Sequence, residues 1–228
     1  VPAGIASFTV ISFFLGTAGY VSTFVAQYYG AGRSHRISLA VWQGIFLGLI
    51  STVLMWGLYP AAEAIMDFAG HAPAIRKLEI QYFRILILGG GLPVLYQSLC
   101  GFYTGRGRMY TVMAVSLIAN AANIVLDYCW IFGHWGFPAW GLAGAGWATV
   151  TSQALAVVIL AALFLSRKNR RHFTTTSNIR LDRELFRRLL YYGAPNGLNF
   201  CLDVSAFTFF VFFVGRLGQT ALATNNAV

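Results

Sequence analysis

The chain has 228 residues, 57% of them hydrophobic and only 10% charged, with a mean hydropathy of +0.64. Soluble domains carry about 25% charged residues, so this composition excludes a water-soluble core and describes a chain whose solvent is lipid. The net charge of +9 does not mark a nucleic-acid footprint, which would be a basic patch on a soluble face; the cations instead follow the loops between apolar runs.

Six segments are long and apolar enough to span a bilayer, which takes about 20 residues each: 2–29, 39–59, 80–101, 110–132, 141–165 and 191–215. No continuous period-2 alternation supports a membrane β-barrel, and the α-helix is the remaining way to satisfy every backbone group in lipid. The expected fold is an all-α, polytopic helical membrane protein with about six transmembrane helices.

The first linker, QYYGAGRSHR, carries glycine punctuation that ends a helix and turns it quickly. The second, PAAEAIMDFAGHAPAIRK, breaks at Pro60 and returns Glu63 and Asp67 to water. The third, TGRGRM, is tight and basic like the first, whereas the fourth, GHWGFPAWG, is rich in Trp and suits an interfacial belt. The fifth is the longest. SRKNRRHFTTTSN reads as polar and irregular, and LDRELFRRLLYYG as an amphipathic helix on the inner leaflet, capped by Asp182. The first, third and fifth linkers hold twelve of the 16 Lys and Arg residues. Positive charge on alternate loops places those loops in the cytoplasm. Gly89, Gly90, Gly91, Gly141, Gly144 and Gly146 read first as close helix packing and second as bending points. The start without a preceding span and the final GRLGQTALATNNAV read as the ends of an internal piece of a longer transporter-sized protein.

Cys100, Cys129 and Cys201 are scattered in or beside apolar spans and read as small core residues, with no disulfide expected. His35, His71, His134 and His172 all lie in or near loops, with no H-E-x-x-H motif. There is no Gly-x-Ser-x-Gly elbow and no phosphate-binding G-x-x-x-x-G-K-[ST] loop. The chain is therefore not expected to be an enzyme, to hold a cofactor or metal cluster, or to use ATP.

Two polar stripes stand out. NAANIVLD places Asn120, Asn123 and Asp127 on one helix face, extended backwards by Ser116, and NGLNFCLD repeats the spacing at Asn196, Asn199 and Asp203. A charge inside a span costs at least ~2.5–3.5 kcal/mol on insertion scales and marks function by default. Asp127 has a second reading, as a group near the outer interface that reaches water, because only about 9 Å of helix separates it from Gly133. Asp203 lies near mid-span. A carboxylate among amide and hydroxyl oxygens can ligate a monovalent cation or exchange a proton. Thr149 and Thr151 are candidate co-ligands on the next span, with Ser152 and Gln153 nearby, although membrane Ser and Thr more often bond their own backbone.

QYYGAGR, GFYTGRG, NIVLDYCWIFG, GLAGAGWATVTSQ and GAPNGLNFCLDVSAF, in this order and with matching loop lengths, resemble the multidrug and toxic compound extrusion (MATE) transporters. The resemblance implies the second to seventh helices of a two-lobe, twelve-helix, inverted-V fold. It divides the chain into residues 1–165 of the N-terminal lobe, an inter-lobe linker at 166–190 with its amphipathic helix, and the start of the C-terminal lobe at 191–228. It implies antiport of organic cations, drugs or metabolites against H+ or Na+ in a bacterial inner membrane, by a protein that is monomeric at full length. Its coupling residues fall on Asp127, Asn123 and Thr149, with Na+ as one occupant of Asp127 and Asn123. Asp203 falls where many bacterial members carry Glu, and Asn120, Thr151, Gln153 and Asn199 stand around these positions. The second reading is a lipid-linked saccharide flippase of the same superfamily, which would want arginines at mid-membrane depth. A membrane-embedded enzyme ranks last.

Overall fold

The structure is a computed structural model that describes residues 2–67 and 73–216. Two expectations lie outside the described residues: the structure of the stretch around His71 and that of the chain after Arg216. The described residues are helical, with no strand among them. Helix α1 (Pro2–Gly19) turns at Tyr20 into α2 (Val21–Gly30), and together they supply the span Ser7–Gly30. Next come α3 (Ser34–Gly57), the short α4 (Ala62–Asp67), α5 (Pro73–Leu88) and α6 (Leu92–Thr104). The last two form one span, Arg76–Thr104, bent at Gly89–Gly91. Helices α7 (Met109–Phe132), α8 (Leu142–Phe164), α9 (Arg167–Phe173) and α10 (Arg183–Arg216) complete the described residues. Among the described residues five helical stretches are long and apolar enough to cross a membrane, and α10 covers the sixth expected span.

Both glycine readings find support: Gly89, Gly90, Gly91, Gly144 and Gly146 lie in close packing and Gly89–Gly91 also mark the bend, whereas Gly141, with φ 54°, has nothing within 4 Å of a Cβ. A methyl at Gly89 would lie 2.7 Å from Val150 Cγ2, and one at Gly90 would lie 2.9 Å from Met55 Cγ. The bend between α5 and α6 thus packs against α3 on one side and α8 on the other. Gly144 lets α8 approach the α7 backbone, because a Cβ there would sit 2.7 Å from the Trp130 carbonyl carbon. Gly133 ends α7 in the left-handed conformation, φ 74°, a position that favours glycine.

The main core gathers α2, α3, α6 and α8 around Phe24, Val41, Phe102, Leu160 and Phe164. Phe102 meets Phe164 edge-on at 4.8 Å and Phe173 at 5.3 Å; such pairs add about 0.5–1.5 kcal/mol beyond area burial. Helix α7 contributes little to this core. It buries only Val115 and Cys129 and exposes Leu117, Ile118, Ile124 and Phe132. Cys100 and Cys129 are buried and Cys201 is half-buried, all as free thiols.

The fifth linker differs from its expectation in two ways. Residues 167–173 are helical rather than irregular, because Phe173 and Asn169 anchor α9. Phe173 stacks with Arg106 at 4.6 Å, and Asn169 Nδ2 donates to Leu163 O at 2.8 Å. Arg106 also lies over Phe102 at 3.6 Å; burial, and then the charge of Arg108, push it down to about 10, so it stays charged at neutral pH. The expected surface helix is also not a separate element. Asp182 Oδ1 does accept the Leu185 N–H at 3.0 Å, the capping bond read from sequence. From there α10 runs unbroken to Arg216, with Leu185 and Leu189 buried in the main core rather than laid on lipid.

The segment between α9 and α10 is strapped to α3. Trp42 Nε1 donates to Thr175 O at 2.8 Å, and Asn178 Nδ2 donates to His35 O at 2.8 Å. Fully buried Gln43 donates to Arg180 O and accepts from the Asp182 N–H, each at 3.1 Å.

Candidate functional site

The first polar stripe lies on α7, the most exposed of the long spans, yet its key atoms turn inward. Asp127 Oδ1 and Asn123 Nδ2 are both buried without a hydrogen-bond partner. A buried acceptor and a buried donor left open one turn apart are costly, about 1–3 kcal/mol each and more for a charged group. This is the kind of exception that marks a place for a proton, an ion or water.

Three helices bound these atoms. The antiparallel α7 and α8 cross where Gly144 meets Trp130. From that crossing Asp127 lies about 4.5 Å, Thr149 about 7.5 Å and Asn123 about 10.5 Å along the helix axes, by the rise of an α-helix. Thr149 therefore sits at a level between the other two. Its hydroxyl donates to Ala145 O at 2.9 Å, the backbone bond expected of a membrane threonine, and keeps its lone pairs for a cation. On the third helix, α5, Tyr82 lies within electrostatic range of Asp127 and 3.2 Å from where a methyl on Gly146 would stand. Tyr82 was not singled out in the sequence, where it is one of 11 tyrosines.

The remaining expected neighbours divide. Gln153 is half-buried and one turn from Thr149 on the same face. Thr151 is exposed and lies about 200° around α8 from Thr149, so the two do not converge. Asn120 is also exposed.

The second stripe forms a separate site. Asp203, Asn199 and Asn196 share one face of α10 and line a cleft of about 310 Å³ with Leu15, Gly16, Gly19, Phe200 and Gln97. Asn196 Nδ2 donates to Gly16 O at 2.7 Å. Gln97, from α6, adds an amide that the sequence reading passed over, although it stands alone in an apolar run. Asp203 and Asn199 are exposed, whereas Asp127 is half-buried. The carboxylate nearer mid-span by sequence is thus the more open one in this fold, because depth along a helix says nothing of which flank a residue faces. The structure does not bring the two carboxylates together: one is bounded by α5, α7 and α8, the other by α1, α6 and α10. Among the described residues no group of three or more His, Cys, Asp or Glu side chains gathers as a metal site.

A bundle of apolar helices holding one unpaired carboxylate among amide and hydroxyl groups, and a second in a polar cleft, defines a polytopic helical membrane protein with polar sites inside its membrane domain. Comparison with known proteins supplies the family. The MatE family model matches residues 3–129, and the chain belongs to that family. It is 28% identical over 224 residues to the "Probable multidrug resistance protein NorM" of Neisseria meningitidis serogroup A, across 96% of this chain and 48% of that protein. It is 31% identical over 236 residues to the protein of the same name from Pseudomonas syringae pv. tomato, across 98% and 49%. The chain spans about half the length of the curated relatives it matches. Its fold superimposes on an outward-facing multidrug resistance MATE family transporter with a TM-score of 0.82 at 23% identity, covering 98% of this chain and 50% of the other. An inward-facing transporter of the same description gives 0.78 at 21%, covering 97% and 49%.

Proposed function

We propose that the protein containing this chain is a secondary active antiporter that exports organic cations, drugs or metabolites in exchange for H+ or Na+. The observation that carries the reading is the pair of orphaned atoms, Asp127 Oδ1 and Asn123 Nδ2. Family membership and the NorM relatives support the transport class. A proton on Asp127 would remove the charge that lipid-facing α7 otherwise carries. Na+ would do the same by coordination, drawing on the Asn123 carbonyl and the Thr149 hydroxyl oxygen. Either ion therefore stabilises a closed arrangement of α5, α7 and α8, and its loss favours an arrangement that admits water to Asp127. Asp203 couples at the second cleft. The protein works in a bacterial inner membrane as a monomer, with the basic loops in the cytoplasm. No specific observation favours the flippase alternative.

The test is efflux of a fluorescent organic cation by the full-length protein in proteoliposomes, driven separately by H+ and Na+ gradients. Asp127→Asn and Asp203→Asn are each expected to abolish coupled export under the gradient that drives the wild type. If both variants export normally, neither carboxylate couples transport.

A further inference from the structure

We propose that the α9 face is a binding surface for the anionic phospholipid headgroups of the leaflet it borders. Arg167, Lys168, Arg170 and Arg171 are all exposed on this seven-residue helix. At about 100° per residue they occupy one arc of roughly 160°, while Asn169 and Phe173 fall on the opposite, packed side. Arg167 stands three and four residues before Arg170 and Arg171, so the three guanidinium groups flank one another across a single turn. Like charges at these spacings destabilise a helix. This one is held not by its own sequence but by the Phe173–Arg106–Phe102 stack and the Asn169 bond to Leu163 O. Among the described residues none of these cations is paired with a carboxylate. The acidic residues at this end are Asp182 and Glu184, and Asp182 caps α10.

The positive-inside bias explains why cations lie at this end. It acts while the chain inserts, and it asks nothing of their geometry afterwards. The structure adds a one-sided display of three fork-shaped guanidinium groups and one ammonium on an anchored helix, and guanidinium forks grip a phosphodiester through paired N–H···O bonds. It also adds the level. Exposed Tyr29, Tyr110 and Tyr191 lie at the same end of the bundle, where amphipathic rings sit at headgroup depth. Arg108, between Arg106 and α7, is exposed beside them. Phosphatidylglycerol supplies the matching chemistry: a single negative charge on a phosphodiester, presented at that depth. Clusters of four or more cations immediately beside a membrane span attract such lipids.

The experiment is native mass spectrometry of the full-length protein released from nonionic detergent, with phosphatidylglycerol and phosphatidylcholine supplied at equal concentration. The wild type is expected to retain phosphatidylglycerol about tenfold over phosphatidylcholine, and about 0.5 M salt should erase that preference. The quadruple variant Arg167→Gln, Lys168→Gln, Arg170→Gln, Arg171→Gln should lose the preference while keeping the wild-type unfolding temperature. The milder pair Arg170→Gln, Arg171→Gln should lose part of it, and serves if the quadruple variant does not fold. Equal retention of both lipids by the wild type would overturn the proposal. So would an unchanged preference in a folded quadruple variant, or displacement of the lipid by millimolar inorganic phosphate, which would make the site one for free anions.

Discussion

Gly197→Ala tests how closely α1 and α10 pack. An ideal Cβ at Gly197 collides with Phe13 O and Thr17 Oγ1, and a Cβ at Gly16 would lie 2.7 Å from Gly197 Cα. Ordinary contacts begin near 3.4 Å. The Thr17 hydroxyl could rotate away, but it already donates to Phe13 O at 2.8 Å, and Phe13 O is backbone. The added methyl can therefore be accommodated only by parting the two helices by roughly 1 Å, an overpacking cost of about 1–3 kcal/mol. Alanine returns about 0.8–1 kcal/mol of helix propensity, and the Asn196 bond to Gly16 O, 2.7 Å long, weakens as the helices separate. The net expectation is a loss of about 1–2 kcal/mol, read as a lower unfolding temperature of the purified full-length protein in detergent. Gly57→Ala is the control, since no atom lies within 4 Å of a Cβ there, and it should be neutral or slightly stabilising. If Gly197→Ala unfolds no earlier than Gly57→Ala, the helices do not meet backbone to backbone, and the cleft that holds Asp203 is not floored by this crossing.

Two further substitutions probe the strap and the first site. Gln43→Leu leaves the Arg180 carbonyl and the Asp182 N–H without their partner. It should cost about 1–3 kcal/mol and expose the segment between α9 and α10 to limited proteolysis. Trp42→Phe, which removes the single bond to Thr175 O, should cost only about 0.5–1.5 kcal/mol by the same unfolding measurement. Thr149→Val should abolish ion-driven efflux while Thr151→Val leaves it unchanged, because Thr151 is exposed and stands about 200° around α8 from Thr149; equal loss in both would place the ion path elsewhere on α8.

The spans were legible because hydropathy reports partition into lipid, and five of the expected segments overlap helices that could cross a membrane. The same signal is blind to what happens outside lipid. Helix α10 begins at Arg183, well before the apolar run, because Asp182 caps it and Leu185 and Leu189 find a protein core. The strap rests on bonds between residues more than 130 positions apart, which no local pattern announces. The turn at Tyr20 likewise leaves no mark in composition. In the site, Asn123 and Asp127 were visible because amides and carboxylates are rare in apolar runs. Tyr82 was not, since a tyrosine is at home in core, belt and site alike. Thr151 was grouped with Thr149 by closeness in sequence, and a separation of two residues on a helix points them apart.

The two carboxylates sit in surroundings that different displacements would alter. Asp127, Asn123, Thr149 and Tyr82 come from α5, α7 and α8, so their mutual geometry survives any displacement of α10. The Asp203 cleft has walls from α1 and α6 on one side and α10 on the other, and its shape changes whenever α10 shifts along or away from α1. An ion held at Asp127, as proposed, would therefore be sensed through repacking inside one bundle, and one held at Asp203 through the separation of α10 from that bundle. The tight glycine crossing at Gly16 and Gly197 makes the second arrangement steep, because backbone atoms in contact cannot yield gradually. On this geometry, Asp203→Asn should alter how α10 parts from α1, whereas Asp127→Asn should alter the packing of α5, α7 and α8 and leave the crossing of α1 and α10 in place.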